Sequence, residues 1–288
     1  MRAHIRPTRE DGWWRWILSG PWQPKYADQI RRRGPLALEL NEAWGFVGDN
    51  LDFLGDVPEL LELQVIHHHL LDDRGVEHCS NLRSLDLNTY SDTSPDFSRF
   101  RQLESCSIEW RGAASSLLEV QTLHRLAIQN PPWPDLYPFQ ALAGLVSLTL
   151  GNARRLRSLA GAKSLRSLES LVVYLAPRLA SLAGIEELGS LVNLELEDCR
   201  TVNSLEPAGD LRRIRSIHFT GRGMVDNLDP LQNLNNLEEL WLGGTKVADG
   251  RLTPLLNLPA LREVRFRNRP EYDISSEALT AELATRTR

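Results

Sequence analysis

Three adjacent histidines, His67, His68 and His69, are the side chains of this sequence whose types first suggest a metal site. Their spacing argues against one. Neighbouring side chains on an extended backbone point to opposite faces, so three in a row do not converge on a single ion. No Cys-x-x-Cys or His-Glu-x-x-His pattern accompanies them. A polar turn fits better, and no metal or cofactor is expected. Nucleophilic chemistry finds no more support. The serines are many, but none sits in a Gly-x-Ser-x-Gly elbow. There is no P-loop, and no Gly-x-Gly-x-x-Gly opens a helix. Gly221-Arg222-Gly223 reads as a turn between segments. The chain is not expected to be an enzyme.

Charge and cysteine usage narrow the partners. Lys and Arg number 33 against 38 Asp and Glu, a net charge of −5 that argues against a phosphate-binding surface and hence against nucleic acid. Cys79, Cys106 and Cys199 are few, widely spaced and odd in number, unlike a secreted disulfide scaffold. No signal-peptide run opens the chain, and no stretch approaches the ~20 apolar residues that span a bilayer. A cytoplasmic monomer without a membrane partner is expected.

The elements that must position any site come from a repeat. The string L-x-x-L-x-L recurs from Leu60 (LLELQV) through Leu82, Leu103, Leu123, Leu145, Leu168, Leu191, Ile214 and Leu237 to Leu261 (LREVRF), with a weaker copy, PLALEL, from Pro35. About eleven units follow one another at intervals of 20–25 residues. In each, the fourth and sixth residues alternate with polar ones, the period of a short strand with one buried face. Between strands, apolar residues fall three apart, as in Leu182, Ile185, Leu188 and Leu191. That spacing predicts 3₁₀ or short helical turns. The segment NPPWPDLYP from Asn130 is expected to be extended. No unit can bury its leucines alone, so neighbours must stack.

These strings resemble the leucine-rich-repeat consensus over roughly residues 35–270, and the short period is most similar to internalin-type bacterial repeats. The resemblance implies an α/β fold: a curved right-handed solenoid with a concave parallel β-sheet and turns or 3₁₀ segments on the convex side. The family often places Asn at the ninth position of a repeat to cap backbone groups. Here that position holds residues such as Tyr90, Arg111, Pro131, Cys199, Thr245 and Arg269, of which Cys199 and Thr245 are tolerable substitutes and the others are not. Irregular turns are expected in consequence, mostly in the first half.

A stacked array exposes core at both ends unless something covers it. Residues 1–34 carry Trp13, Trp14, Trp16, Trp22 and Tyr26, and are expected to form an N-terminal cap. Asp11-Gly12 reads as a hairpin turn, with Trp14, Trp16 and Leu18 alternating beyond it. The rival reading makes the aromatics a binding site. Residues 271–288 are expected to hold a C-terminal capping helix with Ser275 as N-cap and Leu279 and Leu283 inward.

The open side of the strands is the remaining candidate. The third, fifth and seventh positions of the repeats should point to the concave face, and hold eight acidic residues against three arginines. Towards the C-terminal half these positions hold Tyr174, Glu195, Glu197, His218, Glu239, Trp241, Glu263 and Arg265. Aromatics ringed by charge have the composition of a binding hot spot. The expected function is a non-catalytic interaction module that binds a protein with a basic surface through that face. Two alternatives stand beside it: a cytoplasmic inhibitor or immunity-type protein blocking a toxin or enzyme, and a structural repeat scaffold without a high-affinity ligand.

Overall fold

The computed structural model describes residues 4–10, 13–34 and 36–286. Its contacts divide the chain into two compact units, Met1–Ile128 and Gln129–Arg288.

In the first unit, β1 (His4–Glu10) and β2 (Trp13–Ser19) pair antiparallel, with Ile5 opposite Leu18. The Asp11-Gly12 turn expected between them lies outside the described residues. The alternation expected along β2 holds only in part. Trp14 is exposed, but Trp16, Ile17 and Leu18 are all buried, because both faces of this strand are covered. The helix α1 (Lys25–Arg33) follows and buries Tyr26, Ala27 and Ile30. It was not anticipated from the sequence.

Strands β3 (Ala37–Asn41), β4 (Glu62–His67), β5 (Ser84–Thr89) and β6 (Ser105–Glu109) then run parallel, one per repeat, with β2 joined to β3 through Trp16 and Leu38. Strand β7 (Arg125–Gln129) falls at the division of the units. Along β4 and β5, buried and half-buried residues alternate as the period-two pattern requires. Strand β3 departs from it. Glu39 and Asn41 occupy open-face positions, yet both are buried.

The second unit repeats the theme. Strands β8 (Ser147–Gly151), β9 (Ser170–Tyr174), β10 (Asn193–Glu197) and β11 (Ser216–Thr220) are parallel neighbours. The short β12 (Met224–Val225) steps aside, and β13 (Glu239–Gly243) continues the sheet. The short β14 (Lys246–Val247) pairs with β12, and β15 (Glu263–Phe266) pairs with β13. The helix α2 (Ser276–Arg286) follows β15, its third backbone N–H donating to the Ser275 hydroxyl at 3.2 Å. Leu279 and Leu283 are buried.

The inward leucines behave as the repeat register requires. Leu85 in the first unit, and Leu148, Leu194 and Leu240 in the second, are buried at the centres of their strands. Apolar residues three apart return the chain through 3₁₀ turns such as Asp52–Asp56, Ile185–Glu187, Asp229–Asn233 and Thr253–Asn257. Residues 131–136 carry no helix, as the prolines dictate. Pro138 is the exception, lying inside the 3₁₀ turn Tyr137–Phe139, where its fixed φ suits the first turn. No helix among the described residues is long and apolar enough to cross a membrane.

Candidate functional site

The repeat register sets Glu195, His218, Trp241 and Arg265 side by side on β10, β11, β13 and β15. All four occupy the fifth position of their repeats, so their side chains leave the same face of the sheet. Adjacent strands lie about 4.8 Å apart, close enough for flat groups to stack. His218 and Trp241 do so, with ring centroids 4.0 Å apart and planes 8° from parallel. Arg265 covers the indole from the other strand, its guanidinium carbon 4.1 Å from the ring centroid. Such a cation over an indole face is attracted by the ring quadrupole.

Carboxylates hold both ends of this stack. Glu263 forms an ion pair with Arg265. Glu239 Oε2 lies 3.6 Å from His218 Nε2, and the Ser216 hydroxyl sits 3.0 Å from that nitrogen and donates to Glu239 at 3.5 Å. Trp241 is therefore not the freely projecting anchor that its column position suggested. Both ring faces are occupied, its indole N–H is closed off from solvent, and no acceptor meets it. Glu195 is half-buried beside His218 in register, and Glu197 is exposed.

Tyr174 does not join this group. Its hydroxyl is hydrogen-bonded by Gln129, and its ring lies over Gly151, where an added Cβ would collide with it. Glycine at this position on β8 lets the ring lie down, away from Trp241. The two aromatics stand three strand spacings apart, on the order of 14 Å. Of the expected site residues, Glu197 is the one in register with Tyr174, while Glu195, His218, Glu239, Trp241, Glu263 and Arg265 form the stacked group and its rim.

The histidine run is a polar turn only at His68 and His69, since His67 still belongs to β4. His67 is buried against Phe46, with ring centroids 5.5 Å apart, and burial lowers its pKa. His68 lies half-buried in the turn after β4, with Nδ1 2.5 Å from Glu42 Oε1 and its ring 4.8 Å from that of Tyr90, and the His67 Nδ1 approaches the same carboxylate, 3.8 Å from Oε2. The three free cysteines are buried, and burial pushes the thiols of Cys79 and Cys199 up to about 12.

Ninth-position residues show how the turns manage without asparagine. Arg111 donates to the Thr89 carbonyl at 3.1 Å and pairs with the fully buried Asp73, which also accepts from Thr89 at 2.9 Å and Thr93 at 3.0 Å. Arg269 donates to the Gly244 carbonyl at 3.2 Å, the eighth residue of the preceding repeat, as Thr89 is for Arg111. Long cations thus do the bridging in two repeats. The Cys199 thiol donates to the Val173 and Glu197 carbonyls at 3.7 and 3.6 Å.

No protein-family model matches this sequence, and no curated protein sequence matches it. Solved structures do. A leucine-rich-repeat protein of Leptospira interrogans superposes with a TM-score of 0.65 at 17% identity, covering 82% of this chain and 62% of its own. This chain thus spans less than two thirds of that neighbour's length. Internalin C2 of Listeria monocytogenes gives a TM-score of 0.53 at 16% identity, covering 85% of this chain and 92% of its own. The ectodomain of the Arabidopsis receptor kinase HAESA, solved in complex with a peptide hormone, gives 0.56 at 18% identity, covering 87% of this chain and 44% of its own. These likenesses show the fold, a leucine-rich-repeat solenoid.

Proposed function

We propose, from the leucine-rich-repeat fold as premise, that this chain is a non-catalytic interaction module whose partner protein docks on the open face of β10–β15. The observation that carries the reading is the His218–Trp241–Arg265 stack with carboxylates at its rim. A flat, pre-stacked platform loses little side-chain freedom when a partner covers it, which is how few residues come to dominate an interface. Glu195, Glu197, Glu239 and Glu263 outnumber Arg265 around it, so the complementary surface is basic. The peptide bound by the Arabidopsis ectodomain is a ligand of that protein; here it supports only the idea that such a fold can receive a polypeptide.

The tagged chain should capture its partner from a native lysate, and the isolated partner then be titrated against variants. Trp241→Ala removes the middle of the stack and should weaken binding by roughly 2 kcal/mol, about 30-fold. Glu195→Lys with Glu197→Lys should chiefly slow association, an effect that shrinks at high salt. Unchanged affinity in both variants would overturn the open-face reading.

A further inference from the structure

The open face of the first unit holds a depression that the stacked group does not explain. Register sets Ala37, Glu62, Ser84 and Ser105 in one column, and Glu39, Gln64, Asp86 and Ser107 in the next. Small residues floor it, Arg15 closes one end, and it encloses a volume of about 270 Å³. That is below the ~300–1,000 Å³ of pockets for drug-sized molecules, and suits one long side chain.

Its polar groups run in one direction. Arg15 Nη1 donates to Gln64 Oε1 at 2.8 Å, and Gln64 Nε2 donates to Asp86 Oδ2 at 2.9 Å, with Ser107 also hydrogen-bonded to Asp86. The chain of donors ends on a carboxylate that receives only neutral donors. Arg15 is shared with Glu39, whose Oε2 lies 3.9 Å from Nη1. Glu39 is only 3% exposed, and that oxygen has no hydrogen bond. Glu39 lies outside the depression, its other oxygen accepting from Asn41 Nδ2 at 3.2 Å, and draws on the charge of Arg15. Glu62 and Asp86 line the depression with that one arginine, and among the described residues no cation pairs with either. Burial accordingly pushes the Asp86 carboxyl above its usual range, outweighing the hydrogen bonds from Gln64 and Ser107.

We propose that this depression is a second binding site, which takes an arginine side chain of a partner protein between Asp86 and Glu62. The two carboxylates lie on adjacent strands in adjacent columns, a diagonal that a planar guanidinium with five donors can bridge. The Ser84 and Ser105 hydroxyls on the floor accept the remaining donors. No group of three metal-ligating side chains forms among the described residues, and the carboxylates do not converge on a point. The proposal rests on the reading of the chain as a protein-binding module, but not on the stack around Trp241.

The test needs no knowledge of the partner. Acetyl-arginine amide is titrated into the intact chain while backbone amide resonances are followed by NMR. Saturable shifts are expected at Gln64, Asp86 and Ser107, at least tenfold weaker with the neutral acetyl-citrulline amide and with acetyl-lysine amide. Asp86→Asn should weaken arginine binding at least tenfold. Ser105→Leu fills the floor without altering any charge, and should abolish it even if Asp86→Asn disturbs the fold. Equal binding of citrulline, or undiminished binding to Ser105→Leu, overturns the site. Arginine shifts confined to residues 218–265 would overturn it too while leaving the docking face around Trp241 intact. A null result for Trp241→Ala would do the reverse.

Discussion

Leu175 occupies a backbone position that suits it poorly. The eighth residue of successive repeats turns through the left-handed region: Asn130 at φ 55°, Asn152 at 49°, Leu175 at 54°, Asp198 at 52° and Gly221 at 111°. Asn, Asp and Gly enter that region readily, whereas a branched apolar side chain is strained there by about 1 kcal/mol or more. Leu175 recovers little by burial, since 44% of it is exposed. Leu175→Asn should therefore stabilise the protein by about 1 kcal/mol, raising Tm by roughly 2–4 °C for a unit of this size. A lower Tm would mean that Leu175 makes contacts worth more than its strain. The same turn shows what residue types alone convey. Gly and Asn announce the turn, while Leu175 is placed there only because the strands on either side require the chain to reverse.

Single elements are held by side chains from the next coil, and Asp273 shows how. It lies beyond β15, yet it accepts from the Leu252 backbone N–H at 2.8 Å and from Thr253 N–H at 3.2 Å, capping the 3₁₀ turn Thr253–Asn257 from outside. Burial would raise its carboxyl, but hydrogen bonds from Thr253 and the backbone outweigh it and hold the pKa below the usual range. A depressed folded pKa contributes stability that is present above the unfolded value of about 4 and is lost as pH falls through the folded one. Asp273→Ala should cost about 0.5–1 kcal/mol, little enough because the group is exposed. Hydrogen exchange of residues 252–258 should quicken in the variant, and in the parent only below about pH 4. Protection equal to the parent's at neutral pH would show that the cap contributes nothing. The 3₁₀ turn itself was legible, because Leu252, Leu255 and Leu258 stand three apart; its cap was not, because the donor and acceptor come from different repeats. The same limit applies at the candidate site. Column positions place His218, Trp241 and Arg265 side by side, but only side-chain geometry reveals that the indole is covered on both faces and that Tyr174 lies down over Gly151. Helix α1 escaped notice because its nine residues bury only Tyr26, Ala27 and Ile30, too few for a periodic signal.

At the scale of the whole chain, a repeat array must end somewhere, and the residues before β3 are bound to the first coils on several sides. Trp16, Ile17 and Leu18 of β2 are buried, and β2 extends the sheet beside Leu38. Helix α1 adds Tyr26 and Ile30 to the core. Trp22 stacks on Phe53 at 4.8 Å and its indole donates to Asp56 at 2.8 Å, which ties the segment to the 3₁₀ turn Asp52–Asp56. Arg31 reaches Glu59 at 2.5 Å. Each large side chain buried this way contributes about 1.5–3 kcal/mol. We therefore propose that residues 1–34 cap the first repeat, and that their removal uncovers Leu38, Leu40 and the edge of β3 together. A bare parallel edge beside exposed leucines is a template for association. A chain beginning at Pro35 should lose stability by several kcal/mol and elute as aggregate in size-exclusion chromatography, whereas Trp14→Ala, which alters an exposed residue, should elute as the parent does and be as stable. If the truncated chain were instead soluble and monomeric but no longer retained its partner, the tryptophans would belong to a binding surface and not to a cap. If it stayed soluble and still bound, the segment would serve neither purpose, and the first repeat would be stable with β3 as its edge.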